Sequence, residues 1–202
     1  MTLKDMKIKV FSLIEEYYPE LSGLAEDEDV LNKFNGIVNS IQVDLMKYRK
    51  IPANQTIEID EPDENIITLS TAISDIYQLN KVILKPNDES MNVEYEFIDD
   101  DTLEIDPEFR GNITVYYYKL PAICQLEFTS EQEREAYDEE FEFDIDLPLL
   151  EVMPYGVARD ILRLDMISVY GTYFERTYNE LKAQIDSRRT KGMIYATGGE
   201  DI

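Results

Sequence analysis

Three consecutive aspartates, Asp99, Asp100 and Asp101, and the pair Glu139 and Glu140 are the groupings with the most chemical potential. Two carboxylates flanking one bond can serve as acid and base in glycoside hydrolysis. The chain has no tryptophan to act as a sugar platform, and these acids sit in turn-like runs where solvation accounts for them. The segments "DEDV" (residues 27–30) and "DDDT" (99–102) offer hard oxygen ligands for calcium, without the alternating D-x-D-x-D-G spacing and distal glutamate of a calcium loop. Histidine is absent, which removes the usual base near neutral pH, the Ser-His and Cys-His pairs and the commonest zinc ligand. The single cysteine, Cys124, excludes an intrachain disulfide. Its neighbours Ile123 and Leu126 suggest a small buried hydrophobe rather than a reactive thiol. No phosphate-binding glycine loop or nucleophile elbow is present, and "TGGE" near the C-terminus is too short to cradle a phosphate. The expectation is a non-enzyme with no cofactor.

The acids are unevenly placed in a chain of 202 residues and net charge -24. Residues 1–50 balance to -2 and residues 148–202 to -1, so the middle, 51–147, carries -21. Such a surface repels nucleic-acid phosphate and argues against sequence-reading DNA binding. It is still compatible with DNA that passes without adhering. The plainer reading is a solvated acidic face.

The elements that must position these residues follow from periodicity. Thr2 is a candidate N-cap with Asp5 three residues on, and Leu3, Met6, Val10, Leu13, Ile14 and Tyr17 recur at helical spacing, predicting a helix from Thr2 to about Tyr18, ended by Pro19 and Gly23. A second helix follows the acidic residues 26–29, with Val30, Phe34, Ile37, Val38, Ile41 and Leu45 as its stripe, and stops at "KYRKIP". The two are expected to pair as an antiparallel hairpin. From Gln55 the texture is β: "QTIEID", "NIITLS", "KVILKP", "NVEYEFID", "DTLEID" and "GNITVYYYK". Residues 92–119 read as a three-stranded meander, while "TAISDIYQLN" (71–80) admits a helical turn or a strand. In "VYYYK" Tyr116 and Tyr118 share one sheet face and Tyr117 takes the other, either packing on both sides or forming a subunit interface, where tyrosine is enriched.

Residues 129–146 hold nine acids and one arginine. The first half suits a polar helix capped by Ser130 with Glu133, the second, "FEFDID", an edge strand, and the whole a linker or exposed flap. Leu150, Met153, Val157, Ala158, Ile161, Leu162 and Asp165 predict a helix over about 149–166, with Pro154 in its first turn or marking its start. Tyr170, Tyr173, Phe174, Tyr178, Leu181 and Ile185 continue to about Arg189, with Gly171 near the break. The remaining "TKGMIYATGGEDI" has no periodicity and reads as a flexible tail or an arm ordered by a partner.

The expected fold is α+β: a helical bundle formed from N- and C-terminal helix pairs (1–50 and 148–190), an inserted small, mostly antiparallel β subdomain with its linker (51–147), and a tail (191–202). No apolar run approaches the roughly 20 residues of a membrane span, and the N-terminus reads as an amphipathic helix, so a soluble, unsecreted protein with no membrane partner is expected.

The block "LPLLEVMPYGVARDILRLDMISVYGTYFERTYNELKAQID" resembles the C-terminal helices of the head-to-tail adaptor (connector, head completion) proteins of tailed bacteriophages, where a "PYGVA..LL..D" helix precedes a "Y...Y.ELKA.ID.R" helix. The opening "TLKDMKIKVFSLIEEYYPE...LAEDEDVLNKFNGIVNSIQVDLMKYRKIPA" resembles their N-terminal helix pair, and the β segment resembles their sheet insertions in texture. The resemblance spans roughly half the chain. It implies a homo-oligomeric ring of twelve subunits at the head-tail junction of the virion, assembled in the host cytoplasm. The ring would dock on the portal protein, bridge to tail or neck proteins and continue the channel through which DNA passes without sequence-specific binding. Contacts with the portal or a neighbouring subunit are then expected at Tyr155, Arg159, Arg188, Arg189, Lys191, Met193, Ile194 and Tyr195, with Tyr116 and Tyr118 at a subunit interface. The alternative from the residues alone is a calcium- or carbohydrate-binding module using the acidic loops.

Overall fold

The structure, a computed structural model, describes residues 1–60, 65–87, 95–164 and 168–187. Helices from both ends of the chain share one hydrophobic core, and small antiparallel sheets between them build a second, giving the α+β class that the sequence implied.

Helix α1 (Leu3–Tyr17) begins where the sequence places it. Thr2 Oγ1 accepts from the Asp5 amide at 3.1 Å and the Asp5 carboxylate accepts from the Thr2 amide at 3.0 Å, satisfying two otherwise orphaned donors. The buried stripe is narrower than expected: Leu3, Met6, Val10 and Ile14 are covered, whereas Leu13 is half-buried and Tyr17 is 42% exposed. A 3-10 segment, Pro19–Glu26, leads to α2 (Glu28–Met46), whose N-cap Asp27 accepts from the amides of Asp29 and Val30.

Helices α1 and α2 meet through side chains, with the Phe11 and Phe34 rings 5.7 Å apart and Lys7 over the Phe34 ring at 5.5 Å, but they do not bury their stripes against each other alone. Helix α5 (Leu147–Leu164) packs along both α1 and α2, and α6 (Ser168–Ser187) packs along α5. Apolar side chains on α5 explain this: Leu149, Leu150, Val152, Met153, Val157, Ala158, Ile161 and Leu162 are all buried, too wide a face for one neighbour. Pro154 lies inside α5 rather than at its start. It removes one helical donor, and the buried residues on both sides hold the helix through it. Gly156 is needed where α6 comes closest, since a Cβ there would stand 2.7 Å from the Tyr178 ring. Asp165 and the α5–α6 break lie outside the described residues.

In the β module, β1 (Ile51–Ile59), β6 (Gly111–Lys119) and β3 (Ile76–Pro86) form an antiparallel sheet with β6 central. A second sheet has β5 (Thr102–Ile105) between β2 (Ile66–Thr68) and β4 (Tyr95–Phe97). The meander is therefore half correct. β4 and β5 pair across the Asp99–Asp101 turn, but β6 leaves β5 and pairs with β1 and β3. The reason is length and face: β6 has nine residues, matched by long partners, and its inward side chains Ile113, Val115 and Tyr117 join a core that β5 alone could not cover. Gly111, at φ 147°, redirects the chain in a conformation that disfavours a side chain, and a Cβ would fall 2.2 Å from the Lys85 carbonyl oxygen. Both alternatives for residues 71–80 occur in turn, as a one-turn helix α3 (Leu69–Ala72) followed by the start of β3 at Ile76.

Residues 129–146 are a linker, exposed along most of their length but fastened to the bundle. Helix α4 (Glu131–Glu140) is tied to α1 by a Lys7–Asp138 ion pair of 2.6 Å whose side chains are each 11% exposed. "FEFDID" makes no strand: Phe143 and Ile145 sink into the helical core, and its backbone meets the chain start through Leu3 N–H to Phe141 O and Phe143 N–H to Met1 O. The alternation is real but serves an extended segment laid over the bundle end.

Candidate interaction surface

Of the carboxylates singled out for chemistry, Asp99, Asp101 and Glu139 are engaged in structure. Asp99 accepts from the amides of Asp101 and Thr102 and from the Thr102 hydroxyl, and these hydrogen bonds hold its carboxyl below the usual range. Asp101 accepts from the Ser70 amide and hydroxyl, joining the β4–β5 turn to α3. Asp27 caps α2 while Asp29 pairs with Lys33. Glu139 pairs with Lys4 at 2.7 Å on an exposed face. Among the described residues no group of three or more His, Cys, Asp or Glu is placed to hold a metal ion.

Cys124 is 1% exposed, and burial pushes its thiol up to about 12. Its two neighbouring hydrophobes are not buried with it, Ile123 being 52% and Leu126 58% exposed. The segment is clasped by amide side chains of α2 that the sequence reading passed over. Asn39 Nδ2 donates to Cys124 O at 2.9 Å while its Oδ1 accepts from Cys124 N–H at 2.7 Å; Asn35 and Gln42 donate to the carbonyls of Gln125 and Ala122. These polar residues recur at i, i+4 and i+7 beside the apolar stripe, a helix-period signal that could have revealed them. Leu120, Ile123 and Leu126 of the clasped segment remain exposed.

Of the residues carried by the resemblance, Tyr155 is half-buried, 6.4 Å from the Phe174 ring centroid, and lines a 370 Å³ cleft with Lys9, Glu151, Leu181 and Ile185. Arg159 is committed within its own chain: it donates to both Asp160 carboxylate oxygens, at 2.6 and 2.8 Å, and its guanidinium stands 4.8 Å over the Tyr178 ring. Arg188, Arg189, Lys191, Met193, Ile194 and Tyr195 lie outside the described residues. Tyr116 and Tyr118 do share the outer face of their sheet, Tyr116 37% exposed and Tyr118 half-buried under the Lys50 ammonium, while Tyr117 turns inward and donates to Asp75 at 3.0 Å. The structure does not bring this tyrosine face together with the C-terminal helices.

Two further surfaces were not anticipated. At one bundle end Tyr17 and Tyr173 stack at 4.3 Å and share a 2.6 Å hydroxyl hydrogen bond, both well exposed; that bond pushes the Tyr17 phenol up to about 12. Between α1, the 3-10 segment and α2 lies a groove of about 370 Å³ lined by Ile8, Phe11, Leu21 and Leu31, with Glu15 at its side. It shares Lys7, Ala25 and Leu31 with a larger acidic cleft that runs past Glu26, Glu28, Glu127, Glu131 and Glu135. Apolar patches set in polar rims are features of association surfaces.

No protein-family model matches the chain, and a search of curated proteins returns no match. Among the described residues no helix is long and apolar enough to cross a membrane.

Proposed function

We propose that the protein is a structural head-to-tail adaptor of a tailed bacteriophage. It forms a ring of twelve subunits that docks on the portal, bridges to tail or neck proteins and continues the DNA channel. It works by geometry rather than by turnover, assembled in the host cytoplasm and resident at the head-tail junction.

The observation that carries this reading is the division of the chain into two cores. A bundle built jointly from both chain ends, the arrangement the resemblance calls for, stands beside an inserted acidic sheet module with its own core. Exposed hydrophobes occur on both units, Ile123, Leu126 and Tyr173 on the bundle and Tyr116, Phe97 and Ile98 around the sheets. A ring wall needs association surfaces of this kind on each copy. The net charge of -24 would keep DNA phosphate from adhering to a channel that it must leave.

The test is particle mass in solution with and without the portal ring of the same virus. Binding of a subunit ring to the portal is expected, and it should disappear on deletion of residues 191–202 with the fold intact by circular dichroism. Absence of any complex, or docking unchanged by the deletion, would sink the reading. Calorimetric titration with calcium addresses the alternative: saturable heat at or below millimolar metal would favour the acidic-loop module instead.

A further inference from the structure

We propose that, in the isolated subunit, the C-terminal segment docks in cis across α1, placing Met193, Ile194 and Tyr195 in the apolar groove between α1 and the 3-10 segment. The argument begins from where the described chain ends. Leu181, Gln184 and Ile185 of α6 line a cleft together with Lys9 of α1. The next residue of α1, Ile8, lines the groove on the other flank and is 58% exposed. The end of α6 and the groove are thus separated by the width of one helix, about 10–12 Å with side chains.

Residues 188–192, fully extended, span about 17 Å, enough to cross α1 and deliver the next three side chains. Those three are the apolar "MIY" of the segment, and the groove offers Ile8, Phe11, Leu21 and Leu31 in about 370 Å³. The crossing stretch is basic, with Arg188, Arg189 and Lys191; it passes Lys9, and the acids it can meet are those around the groove, Glu15 at its side and Glu26 and Glu28 in the adjoining cleft. The apolar triplet thus suits the groove lining, and the basic residues before it suit the acids around the groove. A tethered segment experiences an effective concentration in the millimolar range, which favours the chain's own groove over that of a second copy. Under the adaptor reading, the arm would be held back until a partner displaces it; that consequence rests on the adaptor reading, whereas the docking does not.

Cysteine pairing in the full chain tests this. Cys124 is buried, with a thiol pushed up to about 12, and stays silent in the native state. Ser22 is exposed and lines the groove, so Ser22→Cys with Ile194→Cys reports docking. Ser40→Cys with Ile194→Cys is the comparison, because Ser40 is exposed on α2 one turn from Asp44, which Lys182 of α6 contacts. Under mild oxidation the Ser22 pair should close within a single chain at least tenfold faster than the Ser40 pair. Reversing Arg188, Arg189 and Lys191 to Glu should bring the two rates together, with the urea midpoint of the fold unchanged. Equal rates in the parent chain would overturn the proposal, and so would disulfide-linked dimers whose yield climbs with concentration, which would signify exchange of the segment between copies. Portal binding plays no part in this readout, so its failure and that of the adaptor reading are separable.

Discussion

Replacing Gly156 by alanine sets two effects of opposite sign against each other at one position. In the middle of a helix the change should stabilise by about 0.5–1 kcal/mol through backbone entropy. Here the new methyl would lie 2.7 Å from Tyr178 Cε2 and 3.1 Å from Ile41 Cδ1. The ring cannot retreat. Tyr178 is fully buried, its hydroxyl donates to Asp44 at 2.9 Å, and Arg159 and Lys182 cap it at 4.8 and 4.7 Å. Overpacking against a clamped neighbour costs about 3 kcal/mol, the upper part of the usual range, leaving a net loss of about 2 kcal/mol after the propensity gain. Tyr178→Leu removes the offending edge, so Gly156→Ala on that background should be neutral or mildly stabilising, a coupling of about 2–3 kcal/mol. Urea unfolding followed by circular dichroism, with unchanged slope, gives the four midpoints. Additive losses, or a stabilised Gly156→Ala single variant, would refute the claim that the ring edge sets this helix contact.

The same substitution at Gly36, where a Cβ would meet only Leu126 Cδ2 at 4.0 Å, should stabilise by about 0.5–1 kcal/mol in the same assay. Gly111→Ala, forced to keep φ 147° against the Lys85 carbonyl, should cost about 3 kcal/mol or more, read as a fall in melting temperature. Asn39→Ala breaks both clasps on Cys124 at a cost of about 2 kcal/mol, and the Cys124 labelling rate by a thiol reagent should rise about 30-fold through local opening. Asp44 is partly desolvated, which raises its pKa, yet the hydrogen bonds from Lys182 and Tyr178 outweigh this and leave it lowered. Its stabilising contribution is therefore complete above the unfolded carboxylate value and lost as pH falls through the lowered one; Asp44→Asn should be less stable than the parent at pH 7 and converge with it in acid.

How much of this was legible depends on whether the signal is local. Thr2 with Asp5, the acidic residues 26–29 ahead of the second helix, and the apolar run of the first C-terminal helix carry their structural meaning within one or two helical turns, and each lies where the sequence put it. Period-2 alternation, by contrast, announces an extended chain without naming its partner. Ile113, Val115 and Tyr117 marked a strand, but only assembly of the second core decides that β6 lies between β1 and β3. Phe141, Phe143 and Ile145 alternate in the same way and form no strand, because the bundle end supplies the apolar contact instead. Ile123 was misread as a sign of burial around Cys124, although neighbouring residues of an extended segment face opposite ways. The groove escaped notice since its far wall is the 3-10 segment, which the sequence marked only as the end of a helix.

The pairing of Ile51 with Lys119 has a consequence for how the chain reaches its native state. Helices α1 and α2 precede the β module and α5 and α6 follow it, so the bundle core closes only after the module has been made, and closing it across an open loop of about 100 residues would carry about 4 kcal/mol of length-dependent entropy. A sheet module that folds first sets its entry and exit side by side, on strands about 5 Å apart, and so spends that entropy before the helices meet. The module then acts as a kinetic clip: weakening it at Gly111 should slow the folding of helices that it does not itself cover.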